Sequence, residues 1–76
     1  MKTVKIMLTT IRDVQKFVGI ATAYDGDLDL SSGRYVVDAK SIIGIFSLDL
    51  LSPINLNIHS GDADKLIKDL DEFIVK

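Results

Sequence analysis

The chain of 76 residues contains no cysteine and no tryptophan, and it has a single proline and a single histidine. Without cysteine, disulfides, zinc–thiolate sites and thiol catalysis are excluded. A strong excess of either acidic or basic residues is missing as well. The 11 acidic and 9 basic residues are interspersed and leave a formal charge of −2. Nothing in this balance favours a nucleic-acid backbone or an anionic membrane, and we expect neither as a partner.

Long apolar runs are also absent. The N-terminal stretch MKTVKIMLTT alternates instead of forming the apolar segment of a signal peptide, and no run approaches the roughly 20 residues that span a bilayer. The sequence shows no metal-ligand cluster, no glycine-rich phosphate loop and no nucleophile with a base at readable spacing. We therefore expect a soluble, cytoplasmic protein that binds no metal or other cofactor and is not a stand-alone enzyme.

What the chain has in quantity is apolar residues, which make up 47% of it and predict a folded protein. Its length predicts a single domain over residues 1–76, near the lower size at which one core suffices. Alternation of apolar and polar residues predicts four strands, within residues 4–8, 28–30, 34–38 and 54–58. The Ser31-Ser32-Gly33 turn predicts that the second and third strands form a hairpin.

Helical spacing of apolar residues predicts three helices. The first follows Thr10 as N-cap and runs to about Ala23, the short second follows Ser41, and the third opens after Ser60-Gly61-Asp62. The face of the third helix is marked by Leu66, Leu70, Phe73 and Ile74. The order βαββαβα, with one apolar face on each strand, predicts an α/β two-layer sandwich whose second sheet face is open to water.

The segment DAKSIIGIFSL, residues 38–48, is apolar nearly all round its short helix. At about 100° per residue, one side carries Ile42, Ile43 and Phe46, and the other carries Gly44, Ile45 and Leu48. One side can pack on the sheet. The other is either covered by the long helix or forms an exposed apolar patch that binds a partner.

This segment, with the βαββαβα order and the chain length, resembles HPr, the family of small phosphocarrier proteins of the bacterial phosphoenolpyruvate-dependent sugar phosphotransferase system. The similarity extends without a gap back through YDGDLDL (residues 24–30) and Gly33, and more loosely through Pro53 to the last helix. The resemblance implies an HPr-like open-faced sandwich with a four-stranded antiparallel sheet covered on one face by helices. It also implies partners resembling Enzyme I, HPr kinase or a transcriptional regulator of carbon catabolite control.

In the family, a histidine at the start of the first helix accepts the phosphoryl group, within a segment reading roughly Gly-(Ile/Leu)-His-Ala-Arg-Pro-Ala. The resemblance places Thr10 at the histidine position, Arg12 at the arginine and Asp13 at the proline. A threonine hydroxyl is a poor acceptor without an adjacent base, and Asp13 adds negative charge beside an incoming phosphate. This implies a variant without the ordinary carrier reaction, in which Arg12 is either an anion-binding residue or a solvated side chain.

Ser41 resembles the serine that an ATP-dependent HPr kinase phosphorylates in many low-GC Gram-positive bacteria. A phosphate at a helix N-cap faces free N–H groups and the positive end of the helix dipole, and it would add about two negative charges beside the apolar patch. The alternative is that Ser41 is only a cap. The same resemblance implies that Ile42, Ile43 and Phe46 bind partner proteins.

Three functions stay open on the sequence. The first is a regulatory binding module, switched by phosphorylation of Ser41. The second is a phosphocarrier with an unconventional acceptor, either Thr10 or His59, although a lone histidine at the end of a strand is more often a solvated residue. The third is a structural domain that self-associates through Ile42 and Phe46.

Overall fold

The computed structural model describes residues 2–75. The order of elements is βαββαβα, as the sequence predicts. The elements are β1 (Lys2–Ile6), α1 (Ile11–Ala23), β2 (Leu28–Ser32), β3 (Tyr35–Asp38), α2 (Ile42–Phe46), β4 (Ile54–Ile58) and α3 (Ala63–Asp69), followed by a 3-10 turn (Asp71–Phe73). Among the described helices, none is long and apolar enough to cross a membrane.

The four strands form one antiparallel sheet in the order β1-β4-β2-β3. The predicted hairpin is confirmed, because Ser32 pairs with Tyr35 across a two-residue turn. Gly33 in that turn has a φ of 59°, a conformation that glycine adopts without steric cost. Because β4 lies between β1 and β2, its strict alternation of leucine or isoleucine with asparagine gives the sheet one apolar and one polar face.

The helices cover the apolar face, and the polar face is open, so the predicted two-layer sandwich is confirmed. Phe17 of α1 is the largest wholly buried side chain, and burial of such a side chain stabilises a fold by about 1.5–3 kcal/mol. The core consists of Ile6, Leu8, Val14, Phe17, Ala21, Leu28, Leu30, Ala39, Ile45, Leu48, Ile54, Leu56, Ile58, Leu66, Leu70 and Phe73.

The end of the chain departs from its predicted helix. The pattern predicts one helix through Ile74, but α3 ends at Asp69 and the 3-10 turn follows. The Met7 N–H then donates to the Phe73 carbonyl at 2.8 Å, and Ile74 forms a β-bridge with Ile6. The prediction was wrong because the edge of β1 offers the last residues backbone hydrogen bonds, which compete with those of a longer helix.

The first strand is shorter than its pattern. Its alternation predicts that the strand continues to Leu8, whereas β1 ends at Ile6. Leu8 is nevertheless buried in the core, so its apolar character reflects burial rather than strand geometry.

Candidate functional site

The short helix α2 begins at Ile42, and Ser41 is its N-cap, as predicted. The Ser41 hydroxyl oxygen accepts a hydrogen bond from the Gly44 N–H at 3.1 Å, and the Ser41 carbonyl accepts one from the Ile45 N–H at 3.0 Å. The side chain thereby satisfies an N–H that a helix leaves unpaired at its start. Oγ, the atom that a serine kinase modifies, is therefore an acceptor in this cap, on a residue that is half-buried.

Gly44 lies in the middle of α2, close to β3. A Cβ at this position would lie 3.2 Å from Cβ of Val37 and 3.3 Å from Oγ of Ser41. These distances are tighter than ordinary van der Waals contacts, which explains why a residue of low helix propensity occurs here. The absence of a side chain leaves room for both β3 and the Ser41 cap.

The two sides of α2 differ sharply in exposure. Ile45 is 0% and Leu48 7% exposed, whereas Ile43 is 82% and Phe46 46% exposed. Of the two arrangements that the sequence leaves open, the structure has the exposed one. Ile42 is an exception on its side of the helix, because it is half-buried and packs against the core. We call Ile43 and Phe46, with the exposed part of Ile42, the α2 patch.

The start of α1 is closed by side chains of its own. The Thr10 hydroxyl oxygen accepts a hydrogen bond from the Asp13 N–H at 3.0 Å. The Asp13 carboxylate in turn accepts hydrogen bonds from the Thr9 N–H at 3.1 Å and the Thr9 hydroxyl at 2.9 Å. These hydrogen bonds, chiefly the one from the Thr9 N–H, hold the pKa of Asp13 below its ordinary value. A charged carboxylate thus occupies the end of the helix that favours anions.

Arg12, the candidate anion-binding residue, is exposed, and its guanidinium makes no hydrogen bond or ion pair with any described residue. The Arg12 guanidinium is therefore accessible to an anionic ligand, but no hydrogen bond or ion pair with the described part of the chain fixes its orientation. Within residues 2–75, no group of three or more carboxylate and imidazole side chains is arranged to hold a metal ion.

His59, the other candidate acceptor, is not a simple solvated residue. Its Nε2 lies 2.6 Å from Oδ2 of Asp29, and Oδ1 of the same carboxylate accepts a hydrogen bond from Nδ2 of Asn57 at 2.6 Å. The histidine follows the end of β4 that pairs with Lys2, whereas Thr10 follows the opposite end of the β1–β4 pair. The structure does not bring the two candidate acceptors together.

No protein-family model matches the sequence, and no curated protein matches it. Among solved structures, it is similar to HPr-C-His from Thermoanaerobacter tengcongensis, at 29% identity and a TM-score of 0.79, over 95% of this chain and 89% of that one. It is also similar to the phosphocarrier protein HPr from Bacillus anthracis, at 27% identity and a TM-score of 0.74, over 97% of this chain and 94% of that one. These similarities in fold and sequence support placing the chain in the HPr family. The histidine-containing phosphocarrier protein of Mycoplasma, at 14% identity and a TM-score of 0.72 over 93% and 86% of the two chains, shares the fold.

Two residues near the candidate sites have contacts that the sequence alone does not reveal. Lys40, directly before Ser41, donates from Nζ to the carbonyls of Tyr24 and Gly26 at 3.0 and 3.1 Å, and so ties the start of α2 to the loop after α1. Asp29 fixes the His59 ring. The alternation of β2 places Asp29 on the polar face, but only the β2–β4 register reveals that it meets His59.

Proposed function

We propose that this HPr-family chain is a regulatory protein-binding module of the phosphotransferase system, docking through the α2 patch and switched by phosphorylation of Ser41. It would act in the cytoplasm as a single domain over residues 1–76, with partners that resemble Enzyme I, HPr kinase or a transcriptional regulator. It is not itself an enzyme. The observation that carries the proposal is the exposure of Ile43 and Phe46 within two helical turns of the Ser41 cap.

The exposure of the α2 patch supports the docking half of the proposal. Ile43 and Phe46 are three residues apart and so lie on the same face of a helix, where they offer adjacent apolar contacts. Their neighbour Ile45 supplies the attachment to the core, since it is 0% exposed. A helix that is anchored on one side and apolar on its solvent side has the arrangement used for docking to a partner's apolar surface.

The cap supports the switching half of the proposal. A phosphate on Ser41 Oγ would add about 1.5–2 negative charges at neutral pH. Because Ile42 and Ile43 directly follow the cap, this charge would lie beside the patch and oppose a partner that buries it against apolar or acidic groups. The same charge would favour a partner that presents an arginine there. Modification would therefore change which partner binds.

The start of α1 supports a role other than the ordinary carrier reaction. The Thr10 hydroxyl caps the helix, and the only side-chain carboxylate bonded there, that of Asp13, is occupied by Thr9. A base that could take the hydroxyl proton is thus already engaged. The charge on Asp13 would also repel a phosphoryl donor.

A second candidate function, a phosphocarrier that uses His59, is favoured by the 2.6 Å contact between His59 and Asp29. If Nε2 carries the proton and donates it to Asp29, the lone pair of Nδ1 is free to attack phosphorus. The phosphoryl group would then move from a phosphohistidine donor to Nδ1, and the donor imidazole would leave. This reaction and the Ser41 switch require different donors, which makes them separable by experiment.

The docking half is tested by isothermal titration of purified Enzyme I and HPr kinase with the chain and with Phe46→Asp. We expect the substitution to weaken the binding of at least one partner tenfold or more, roughly the loss of one interface anchor residue. Leu51→Asp is the matched control, because Leu51 is also apolar and 89% exposed but lies beyond α2. Equal affinities of Phe46→Asp and the unsubstituted chain for both proteins would overturn the proposed docking surface.

A further inference from the structure

A groove between α1 and α3 lies outside the α2 patch and has no role in the proposed function. Its volume is about 610 Å³, within the range of roughly 300–1,000 Å³ that is typical of small-molecule sites. The floor contains Gly19, Ile20 and Ala23 of α1 and Leu66 of α3, and charged side chains border it. A groove of this size with an apolar lining can hold a small organic molecule.

Gly19 lines the groove at a position where alanine would also fit. A Cβ at Gly19 would meet nothing within 4 Å, and its φ is not positive, so neither packing nor backbone geometry requires glycine there. Glycine is a poorer choice than alanine inside a helix. By contrast, a Cβ at Gly26 or Gly61 would approach other atoms to 2.4 or 2.5 Å. Glycine at position 19 therefore leaves the groove wider there than alanine would.

The charges along the groove favour a cation at one end. Asp25 and Asp62 border the groove beside Tyr24, whose hydroxyl donates to the Ser60 carbonyl at 2.7 Å. Burial, and secondarily the charges of Asp62 and Asp25, raise the pKa of Tyr24. Of the two lysines at the groove, Lys16 forms an ion pair with Glu72 at 2.5 Å. Lys65 is the other cation at the groove, and the carboxylates of Asp25, Asp62 and Asp69 outnumber it.

We propose that the α1–α3 groove binds a small organic cation that has an apolar body and one ammonium group. The body lies over Gly19 and Leu66, and the ammonium group lies between the carboxylates of Asp25 and Asp62, against the face of the Tyr24 ring. An aromatic ring beside two carboxylates attracts an ammonium group through both cation–π and ion-pair interactions. The groove is separate from the α2 patch, so binding there does not depend on the function proposed for Ser41.

Three probes of similar size test this assignment by NMR titration of the full chain: phenethylammonium, 2-phenylethanol and phenylacetate. We expect saturable shifts of the Gly19 and Ala23 amide signals at millimolar phenethylammonium, weaker ones with the alcohol and none with the carboxylate. Equal responses to the three probes, or no saturable response to phenethylammonium, would overturn the proposal. So would shifts confined to the α2 patch.

Two kinds of variant localise the binding. Gly19→Leu should abolish the shifts by filling the floor, and Gly19→Ala should reduce them while leaving the fold at least as stable. Asp62→Asn removes a charge but preserves the helix cap, since asparagine caps as well as aspartate, and it should weaken phenethylammonium binding severalfold without affecting the alcohol. Lys65→Gln should strengthen the binding of phenethylammonium. An Asp62→Asn chain that binds phenethylammonium as tightly as the unsubstituted chain would contradict the charge assignment even if Gly19→Leu fails to fold.

Discussion

Oδ2 of Asp29 lies 2.6 Å from Nε2 of His59, and this contact links β2 to the residue that follows β4. The same carboxylate accepts a hydrogen bond from Asn57, whose side-chain carbonyl accepts one from the Thr3 hydroxyl at 3.0 Å. Side chains of three strands are thus joined on the open face of the sheet. Asp29 alone pairs with both His59 and Asn57, whereas Asn57 also has hydrogen bonds with Thr3 and Ser31.

Asp29→Ala should therefore destabilise the fold more than His59→Ala. Loss of two hydrogen bonds at a half-buried carboxylate should lower the free energy of unfolding by about 1–2 kcal/mol. Loss of the exposed histidine should cost about 0–1 kcal/mol. Urea denaturation of the two variants measures the difference, and equal midpoints would show that the network does not act through Asp29.

The hydrogen bonds from Thr9 predict a pH-dependent contribution from Asp13. Because they lower the folded-state pKa of Asp13 below the ordinary 3.8, the charged form stabilises the fold at pH values above 3.8. The contribution is lost as the pH falls through the lower folded-state value. Asp13→Asn should therefore be less stable than the unsubstituted chain at pH 7, and the gap should narrow below pH 3.8.

The measurement is the free energy of unfolding of both chains as a function of pH. Asp69→Asn is the control, because Asp69 is exposed and makes no side-chain hydrogen bond or ion pair with a described residue. A gap between Asp13→Asn and the unsubstituted chain that does not change with pH would rule out the proposed linkage.

The two helix-interior glycines at positions 19 and 44 should respond differently to alanine. Gly19→Ala adds a Cβ into open space and should raise the free energy of unfolding by about 0.5–1 kcal/mol. Gly44→Ala gains the same helix propensity but places its Cβ 3.2 Å from Val37 and 3.3 Å from Ser41, so the gain should be reduced or reversed. Thermal unfolding measures both gains. Equal gains at the two sites would mean that α2 shifts away from Val37 at little cost in free energy.

The α2 patch should tolerate charge without loss of the fold. Phe46→Asp should change the free energy of unfolding by about 1 kcal/mol or less, because the side chain is 46% exposed. Ile45→Ala, on the buried side of the same helix, should cost about 2–5 kcal/mol. Sedimentation velocity on the same samples reports the alternative role of the patch: a dimer that Phe46→Asp dissociates would favour self-association.

The sequence predicts most of this fold because its patterns agree with one another. The alternation in residues 54–58 defines the central strand, and Thr10 and Ser41 mark the starts of their helices correctly. The end of α3 could not be predicted from the sequence. Leu70 and Phe73 have the spacing of a helical apolar face whether or not the helix continues to them. Only the free edge of β1, a feature of the assembled sheet, ends the helix earlier.

The candidate site is predicted less completely, since it depends on contacts between distant residues. Helical spacing separates Ile43 and Phe46 from Ile45 correctly, yet it cannot show that Ile42 turns partly toward the core. The partner of His59 is 30 residues away in the chain, and the strand register that joins them is set by the fold as a whole. No local pattern carries that information.

The central claim, a switch at Ser41 in place of a carrier reaction, is tested most directly by intact mass with site mapping after two parallel incubations. One uses phosphoenolpyruvate with Enzyme I, the other ATP with HPr kinase, and Ser41→Ala and Ser47→Ala serve as matched variants. We expect one phosphate from ATP alone, located on Ser41, lost in Ser41→Ala and kept in Ser47→Ala. A phosphate acquired from phosphoenolpyruvate, on His59, Thr10 or any other residue, would contradict it.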